Sequence, residues 1–285
     1  MTNCFAYLKE QQAKGRKIIY MPNPGNLGDS LIASATLQQF ERHGLSYEVM
    51  QRQVSHSPEN LYVYGGGGNL VPYYKDAENA LRALSGVGAS FCLLPHSCFG
   101  VDELLLSYGG DLMMFAREQK TYDYLCGLQR SGLRVELVHD LALSLDLSDP
   151  RLVMPRVFKH LYGVRDSSDS PAEIHAFRRD CEASSQPQHL LKRSVDLSAL
   201  WPPGFPSNGF NMTFLNVALT FNSTAWLLAL VAPADVVHTD RLHVGIAGCL
   251  LGKEVHFYDN SYGKISSVYR HSIATNPAFR ATLHE

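Results

Sequence analysis

The sequence predicts an α/β fold with a parallel, doubly wound sheet, and two observations carry that prediction. Short apolar runs alternate with helical stretches through the first half of the chain, and the same alternation resumes after residue 230. The chain has 285 residues, of which 45% are hydrophobic, enough to bury a large core. At roughly 100–200 residues per domain this length fits two domains, with one large α/β domain as the competitor.

Composition excludes several classes. Lys and Arg number 25 against 27 Asp and Glu, for a formal net charge of −2, and 18% of residues are charged. A disordered chain is poorer in apolar residues and more highly charged, and a nucleic-acid-binding domain usually carries a basic excess. Small anions are not excluded, since a few arginines can bind phosphate or carboxylate without moving net charge. The six cysteines, at 4, 92, 98, 126, 181 and 249, show neither C-x-x-C pairs nor zinc-finger spacing, so neither a disulfide framework nor structural zinc is expected. Met1 to Lys14 lacks the apolar centre of a signal peptide. The longest apolar stretch, Ala225 to Ala234, is about half a membrane span. A soluble cytoplasmic protein is the expectation.

Taken in order, Lys17 to Met21 (KIIYM) reads as a buried strand. A loop, Pro22 to Gly28, follows it, and then a helix from about Asp29 to His43. Tyr47 to Met50, Leu61 to Tyr64 (LYVY) and Ser90 to Leu94 (SFCLL) read as further strands, with a helix over Asp76 to Ser85. Leu112 to Ala116 and Arg134 to Val138 continue the series around a helix from about Lys120 to Arg130. Asp146 to Pro150 (DLSDP) is the candidate hinge, giving domains of 1–148 and 149–285. Beyond it, His160 to Val164 reads as a strand and Ser184 to Gln188 as an exposed loop. Trp201 to Pro206 (WPPGFP) cannot be regular structure, and reads either as a plain surface loop or as a surface for stacking a sugar. A long apolar helix is expected over Met212 to Val231. The strand Asp235 to His238, a helix from about Arg241 to Leu251 and the strand Glu254 to Tyr258 then make the second half Rossmann-like as well.

Ligands of open α/β sheets bind at the carboxyl ends of strands, and four loops there carry chemistry. Pro24-Gly25-Asn26-Leu27-Gly28-Asp29-Ser30 has two glycines for close backbone approach, and Asp29 or Ser30 to cap the helix. It is not the G-x-G-x-x-G fingerprint, which disfavours a dinucleotide. Gly65-Gly66-Gly67-Gly68-Asn69-Leu70 is entropically costly to order, pointing to close approach of a ligand or of the facing domain. Its backbone N–H groups are capable of forming an anion-binding nest. His139-Asp140 reads as an acid/base pair or as a turn in which Asp140 caps the next segment. Thr239-Asp240-Arg241-Leu242-His243 sets a guanidinium and an imidazole at a helix start, a good place for an anion that must be protonated. A solvated helix start is the alternative.

The order GNLGD, GGGGNL, HDLAL, TDRLH, GKEVHFYDNSYGK resembles the polysaccharide pyruvyl transferase family over about residues 17–268. The resemblance implies a GT-B-like fold, two Rossmann-like domains facing across a cleft, with the acceptor on the N-terminal side and the donor on the side of DRLH. It implies transfer of pyruvate from phosphoenolpyruvate to two hydroxyls of a sugar, forming a ketal in exopolysaccharide or another cell-surface glycan. By motif, Arg241 and His243 match the family's donor-binding and catalytic pair. Arg117 resembles the arginine that begins the helix after its strand. Arg165 resembles an Arg-x-Asp segment, although here Asp166 follows directly. Lys264 completes the expected donor set, and Asn26, Gly28, Asp29, Gly66, Gly67, Asn69, Asn260 and Ser261 are the expected cleft residues.

The chemistry agrees with the resemblance. A donor with a phosphate and a carboxylate needs two or more cationic forks, and His243 is the candidate general acid. No metal and no cofactor are expected. The expected partners are phosphoenolpyruvate and a sugar acceptor, a lipid-linked repeat unit or glycan, reached by peripheral association at the inner face of the membrane. Two other readings stay open: a GT-B glycosyltransferase with a nucleotide-sugar donor, and a non-catalytic glycan-binding relative.

Overall fold

The computed structural model describes residues 2–50, 56–153, 172–183, 186–192, 194–202 and 217–284. These fall into two compact units. One comprises residues 2–24 and Ile32–Leu145; the other comprises Gly25–Leu31 and the described residues from Asp146 onward. The expected strand His160 to Val164, most of WPPGFP, Arg165 and Asp166 lie outside the described residues, as does the beginning of the expected helix Met212 to Val231.

The first unit runs α1 (Thr2–Ala13), β1 (Ile18–Met21), α2 (Leu27–Arg42), β2 (Glu48–Val49), β3 (Leu61–Tyr64), β4 (Gly67–Leu70), α3 (Asp76–Ser85), β5 (Ser90–Cys98), α4 (Asp102–Leu106), β6 (Leu112–Ala116), α5 (Gln119–Gly127) and β7 (Leu133–Leu137). Of α2, Leu27–Leu31 is counted with the second unit. The strand order is β2-β1-β3-β5-β6-β7, with β4 also on β5, and every pairing is parallel. β1, β3, β5 and β6 are buried along their whole length. That is why they read as unbroken apolar runs rather than alternating ones. The order reverses between β1 and β3, which puts the loops after these two strands at the topological switch point.

The N-terminal helix α1, for which the sequence carried no expectation, is seated through buried Cys4, Phe5 and Leu8. One expectation is corrected here. The glycine run is not a loop throughout, because Gly67–Leu70 forms a strand. β5 pairs with β3 up to Leu93 and with β4 from His96. Pro95 has no N–H to offer a ladder, and Gly65-Gly66 is the stretch that bridges this break. A Cβ on Gly66 would come within 2.9 Å of the Pro95 carbonyl oxygen, and one on Gly65 within 2.6 Å of the Asn23 nitrogen. The glycines thus answer close packing inside the first unit.

The second unit runs β8 (Glu173–Ala176), α6 (Gln188–Leu191), α7 (Val217–Val231), β9 (Val236–Thr239), α8 (Leu242–Leu250), β10 (Glu254–Tyr258), α9 (Lys264–Val268) and β11 (Arg280–His284). Its sheet is parallel in the order β11-β10-β9-β8. α7 and α8 are apolar nearly all round and correspondingly buried. A Cβ on Gly245 would overlap the Phe257 ring, and one on Gly248 would press on Val255, so these two glycines let α8 lie tight against β10.

Val237, Val255 and Phe257 are buried, while the intervening residues point to the opposite face. There His175, His238, His256 and His284 form a row. The His238 and His256 rings stack at 4.6 Å between centroids, and His175 lies 5.0 Å from His238. Burial and the neighbouring imidazoles of His256 and His175 push the His238 pKa down to about 4.

Candidate active site

At the carboxyl edge of the first sheet, buried His96 organises the glycine segment. Its Nδ1–H donates to the Gly65 carbonyl (3.2 Å) while its Nε2 accepts from the N–H groups of Asn69 (3.0 Å) and Leu70 (3.3 Å). The Tyr64 hydroxyl donates to Asn23 Oδ1 (3.1 Å) and accepts from Asn69 Nδ2 (3.2 Å). Gly66, Gly67 and Asn69 therefore sit together at this edge. Arg117 is also here, buried at 1% exposure. Its guanidinium donates to Asp140 Oδ2 (2.8 Å) and to Ser97 Oγ (2.9 Å), with the Glu118 carboxylate 3.7 Å away. Asp140 caps the short 3-10 turn Leu141–Ser144, accepting from the Ala142 N–H at 2.9 Å. Of the two sequence readings of His139-Asp140, the cap describes Asp140.

The loop GNLGD belongs to the second unit. Its cap is Asn26 rather than Asp29 or Ser30. Asn26 Oδ1 accepts from the Gly28 N–H (2.8 Å), and Asp29 Oδ2 accepts in return from the Asn26 N–H (2.8 Å), a reciprocal capping box. The helix start is anchored further along by Thr224, whose hydroxyl donates to the Ser30 carbonyl at 2.8 Å. Gly28 meets His243: a Cβ there would lie 2.8 Å from His243 Cβ and 3.0 Å from its Nδ1. Glycine at this position lets the half-buried imidazole lie directly on the backbone that opens α2.

Arg241 is the N-cap residue of α8, with His243 one position into the first turn beyond Leu242. Its guanidinium binds the Asp196 carboxylate through Nε (3.1 Å) and Nη2, and Nη2 also reaches Asp180 (2.9 Å). Asp180 in turn accepts from Arg178 Nε (2.7 Å). Arg178 Nη1 continues to Glu182 (2.5 Å), on which Lys264 Nζ (2.6 Å) and Asn260 Nδ2 (3.3 Å) also converge. The Ser261 N–H donates to the Glu182 carbonyl (3.2 Å).

Arg241, Lys264, Asn260 and Ser261, which lie far apart in sequence, thus join one chain of charges at the carboxyl ends of β8, β9 and β10. Three cations, Arg178, Arg241 and Lys264, meet three carboxylates, Asp180, Glu182 and Asp196. Burial opposes ionisation of Asp180, but the hydrogen bond from Arg178 and the Arg241 and Arg178 charges outweigh it and hold its pKa near 2. Arg178, Asp180, Glu182 and Asp196 were not among the sequence candidates. The signal for two of them is the Arg-x-Asp spacing at 178–180, directly after the strand EIHA.

Asp240 is a further residue the sequence did not single out. It is 1% exposed; Oδ1 accepts from the Arg178 N–H (2.7 Å) and Oδ2 has no hydrogen-bond partner among the described residues. Burial raises its pKa to about 6, against the Arg178 hydrogen bond and the Arg178 and Arg241 charges. Below about pH 4 the carboxyl is protonated both folded and unfolded and carries no penalty. As pH rises to 6 the unfolded form ionises first, so folding loses up to about 3 kcal/mol, in full above pH 6. Asp240→Asn keeps an acceptor for the Arg178 N–H and removes the charge. Its thermal midpoint is expected to exceed the parent's by several degrees at pH 7–8, on the scale of about 2–4 °C per kcal/mol, and to match it near pH 4. An equal offset at both pH values, followed by calorimetry, contradicts this account.

Two parallel sheets flanked by helices, with functional groups collected at the strands' carboxyl ends, define a Rossmann-like α/β protein. The chain belongs to the polysaccharide pyruvyl transferase family, whose model matches residues 26–262. Membership makes it a transferase acting on polysaccharide. Among solved structures it is similar to a functionally uncharacterised protein from Klebsiella pneumoniae subsp. pneumoniae NTUH-K2044, at 28% identity, with a TM-score of 0.78 and 100% of both chains covered. No curated protein matches it significantly. Among the described residues no helix is long and apolar enough to cross a membrane.

Proposed function

We propose that the protein transfers pyruvate from phosphoenolpyruvate to two hydroxyls of one sugar, forming a ketal. The observation that carries this reading is the carboxyl edge of the second sheet, where an imidazole, a helix start and three linked cations occur together. Arg241, Arg178 and Lys264 are the forks and point charge for the donor's phosphate and carboxylate. The carboxylates that hold these cations in place yield part of their hydrogen bonding to the donor.

In the reaction His243 gives a proton to the methylene carbon, which becomes the methyl group and leaves an oxocarbenium-like centre at the adjacent carbon. A sugar hydroxyl attacks that centre, and its proton passes back to His243. The bond from this carbon to the phosphate oxygen breaks, the second hydroxyl closes the ring, and its proton leaves with the hydrogen phosphate. One proton of the diol thus ends in the methyl group and the other on phosphate, so the reaction balances without a redox partner. The acceptor is proposed to be a glycan or its lipid-linked precursor, met by peripheral association at the inner membrane face.

Phosphoenolpyruvate at 100 times its dissociation constant is expected to stabilise the protein by about 2.7 kcal/mol, raising the melting midpoint, and nucleotide sugars are not. Phosphate release should then depend on added acceptor glycan. A midpoint raised by a nucleotide sugar and not by phosphoenolpyruvate overturns the proposal in favour of glycosyl transfer.

A further inference from the structure

The row of imidazoles on the second sheet holds a cluster that the transfer reaction does not use. His175 and His238 are register partners on β8 and β9, and Glu173 precedes His175 by two residues on the same face. One ligand atom from each of the three lies within 4.8 Å of the others. His175 Nδ1 faces the Leu190 carbonyl oxygen at 3.0 Å. A carbonyl only accepts, so Nδ1 carries the hydrogen and Nε2 presents a lone pair. That lone pair faces Glu173 Oε2 at 3.5 Å. A cation between these two acceptors, a proton or a metal ion, would be held by both of them. His238 favours the metal. Its Nδ1 lies 3.2 Å from the Tyr258 hydroxyl, and in the tautomer in which that hydroxyl accepts the Nδ1–H, Nε2 is a third donor of electrons.

We propose that Glu173, His175 and His238 bind a zinc ion. A proton joins two of these groups, whereas a metal ion satisfies all three. Two imidazoles and a carboxylate form a borderline donor set suited to zinc rather than to magnesium or calcium. The 3.5 Å between His175 Nε2 and Glu173 Oε2 matches one edge of a tetrahedron whose corners lie about 2.1 Å from its centre, and all three ligand atoms lie within 4.8 Å of one another. The Leu190 carbonyl and the Tyr258 hydroxyl are the outer partners that fix the orientation of ligating imidazoles. Three protein ligands leave one position for water or another small ligand. Sequence reading found no such site because Glu173 and His238 are separated by more than sixty positions, and strand pairing alone brings them together.

The test is a competition titration of chelator-treated protein with zinc against a chromogenic chelator, with cobalt substitution as a second measurement. The parent protein is expected to take up one zinc ion per chain. Glu173→Gln, at a position half exposed to solvent, is expected to weaken binding about 10- to 100-fold, and His238→Gln to abolish stoichiometric uptake with an unchanged circular dichroism spectrum. The cobalt form should show four-coordinate d–d absorption without a thiolate charge-transfer band, separating this site from exposed Cys126 and Cys181. Uptake equal in the parent and in Glu173→Gln, a thiolate band, or no stoichiometric zinc in the parent each overturns the proposal. Because the readout is metal uptake, it is independent of whether phosphoenolpyruvate is the donor.

Discussion

His243→Asn is expected to lower the rate of pyruvyl transfer by about 10²- to 10⁴-fold, the usual contribution of a positioned acid and base, and to leave the fold intact. The side chain is half-buried in the first turn of α8, outside the apolar contacts that seat that helix, so its replacement opens no core cavity. Asparagine keeps a polar group of similar reach beside Gly28 but cannot carry a proton to carbon. The cations proposed to hold the donor are separate residues, so on that proposal phosphoenolpyruvate should still raise the melting midpoint of the variant. The expected pattern is therefore a lost turnover with retained donor binding. A folded His243→Asn enzyme releasing phosphate within a few-fold of the parent rate removes His243 from the mechanism. A variant that no longer binds the donor reassigns the imidazole to binding.

The placing of Arg241 and His243 together was legible in the sequence because both are local to one helix start. The strands of the first sheet were legible for a similar reason, since a strand covered on both faces leaves an apolar run such as KIIYM or LMMFA that no surface segment imitates. β8 and β11 were not. Glu-Ile-His-Ala and Arg-Ala-Thr-Leu-His alternate polar with apolar residues, and their polar positions look like those of a loop until the histidine row supplies their neighbours. β4 escaped notice because four glycines read as a loop, whereas pairing with the far side of Pro95 makes the last two of them strand. In the site, Lys264 and Asn260 were legible from a motif, but the reason they matter, convergence on Glu182, is a tertiary fact. Arg178 needed only the Arg-x-Asp spacing in FRRDCE; Asp240 needed knowledge of burial, which no spacing provides.

Arg117, expected in the donor set from its motif, lies in a buried ion pair. Its guanidinium lies between two carboxylates, Asp140 at 2.8 Å and Glu118 at 3.7 Å, with Ser97 accepting from Nε, and none of the four side chains is more than a few per cent exposed. Arg117→Met keeps most of the volume and removes the charge. It is expected to destabilise the protein by about 3–5 kcal/mol, because Asp140 and Glu118 would then be buried without the guanidinium that faces them both. Asp140→Asn retains an acceptor for the Ala142 N–H and reduces that conflict. The double variant Arg117→Met with Asp140→Asn should therefore recover part of the loss, giving a coupling energy that separates the ion pair from simple packing. Denaturant unfolding of the four proteins measures it. Additive losses would show that Arg117 acts through contacts other than Asp140. If instead Arg117→Met folds with near-parental stability and fails to bind phosphoenolpyruvate, the guanidinium belongs to the donor site. The two roles thus predict opposite orderings of stability and binding in one variant.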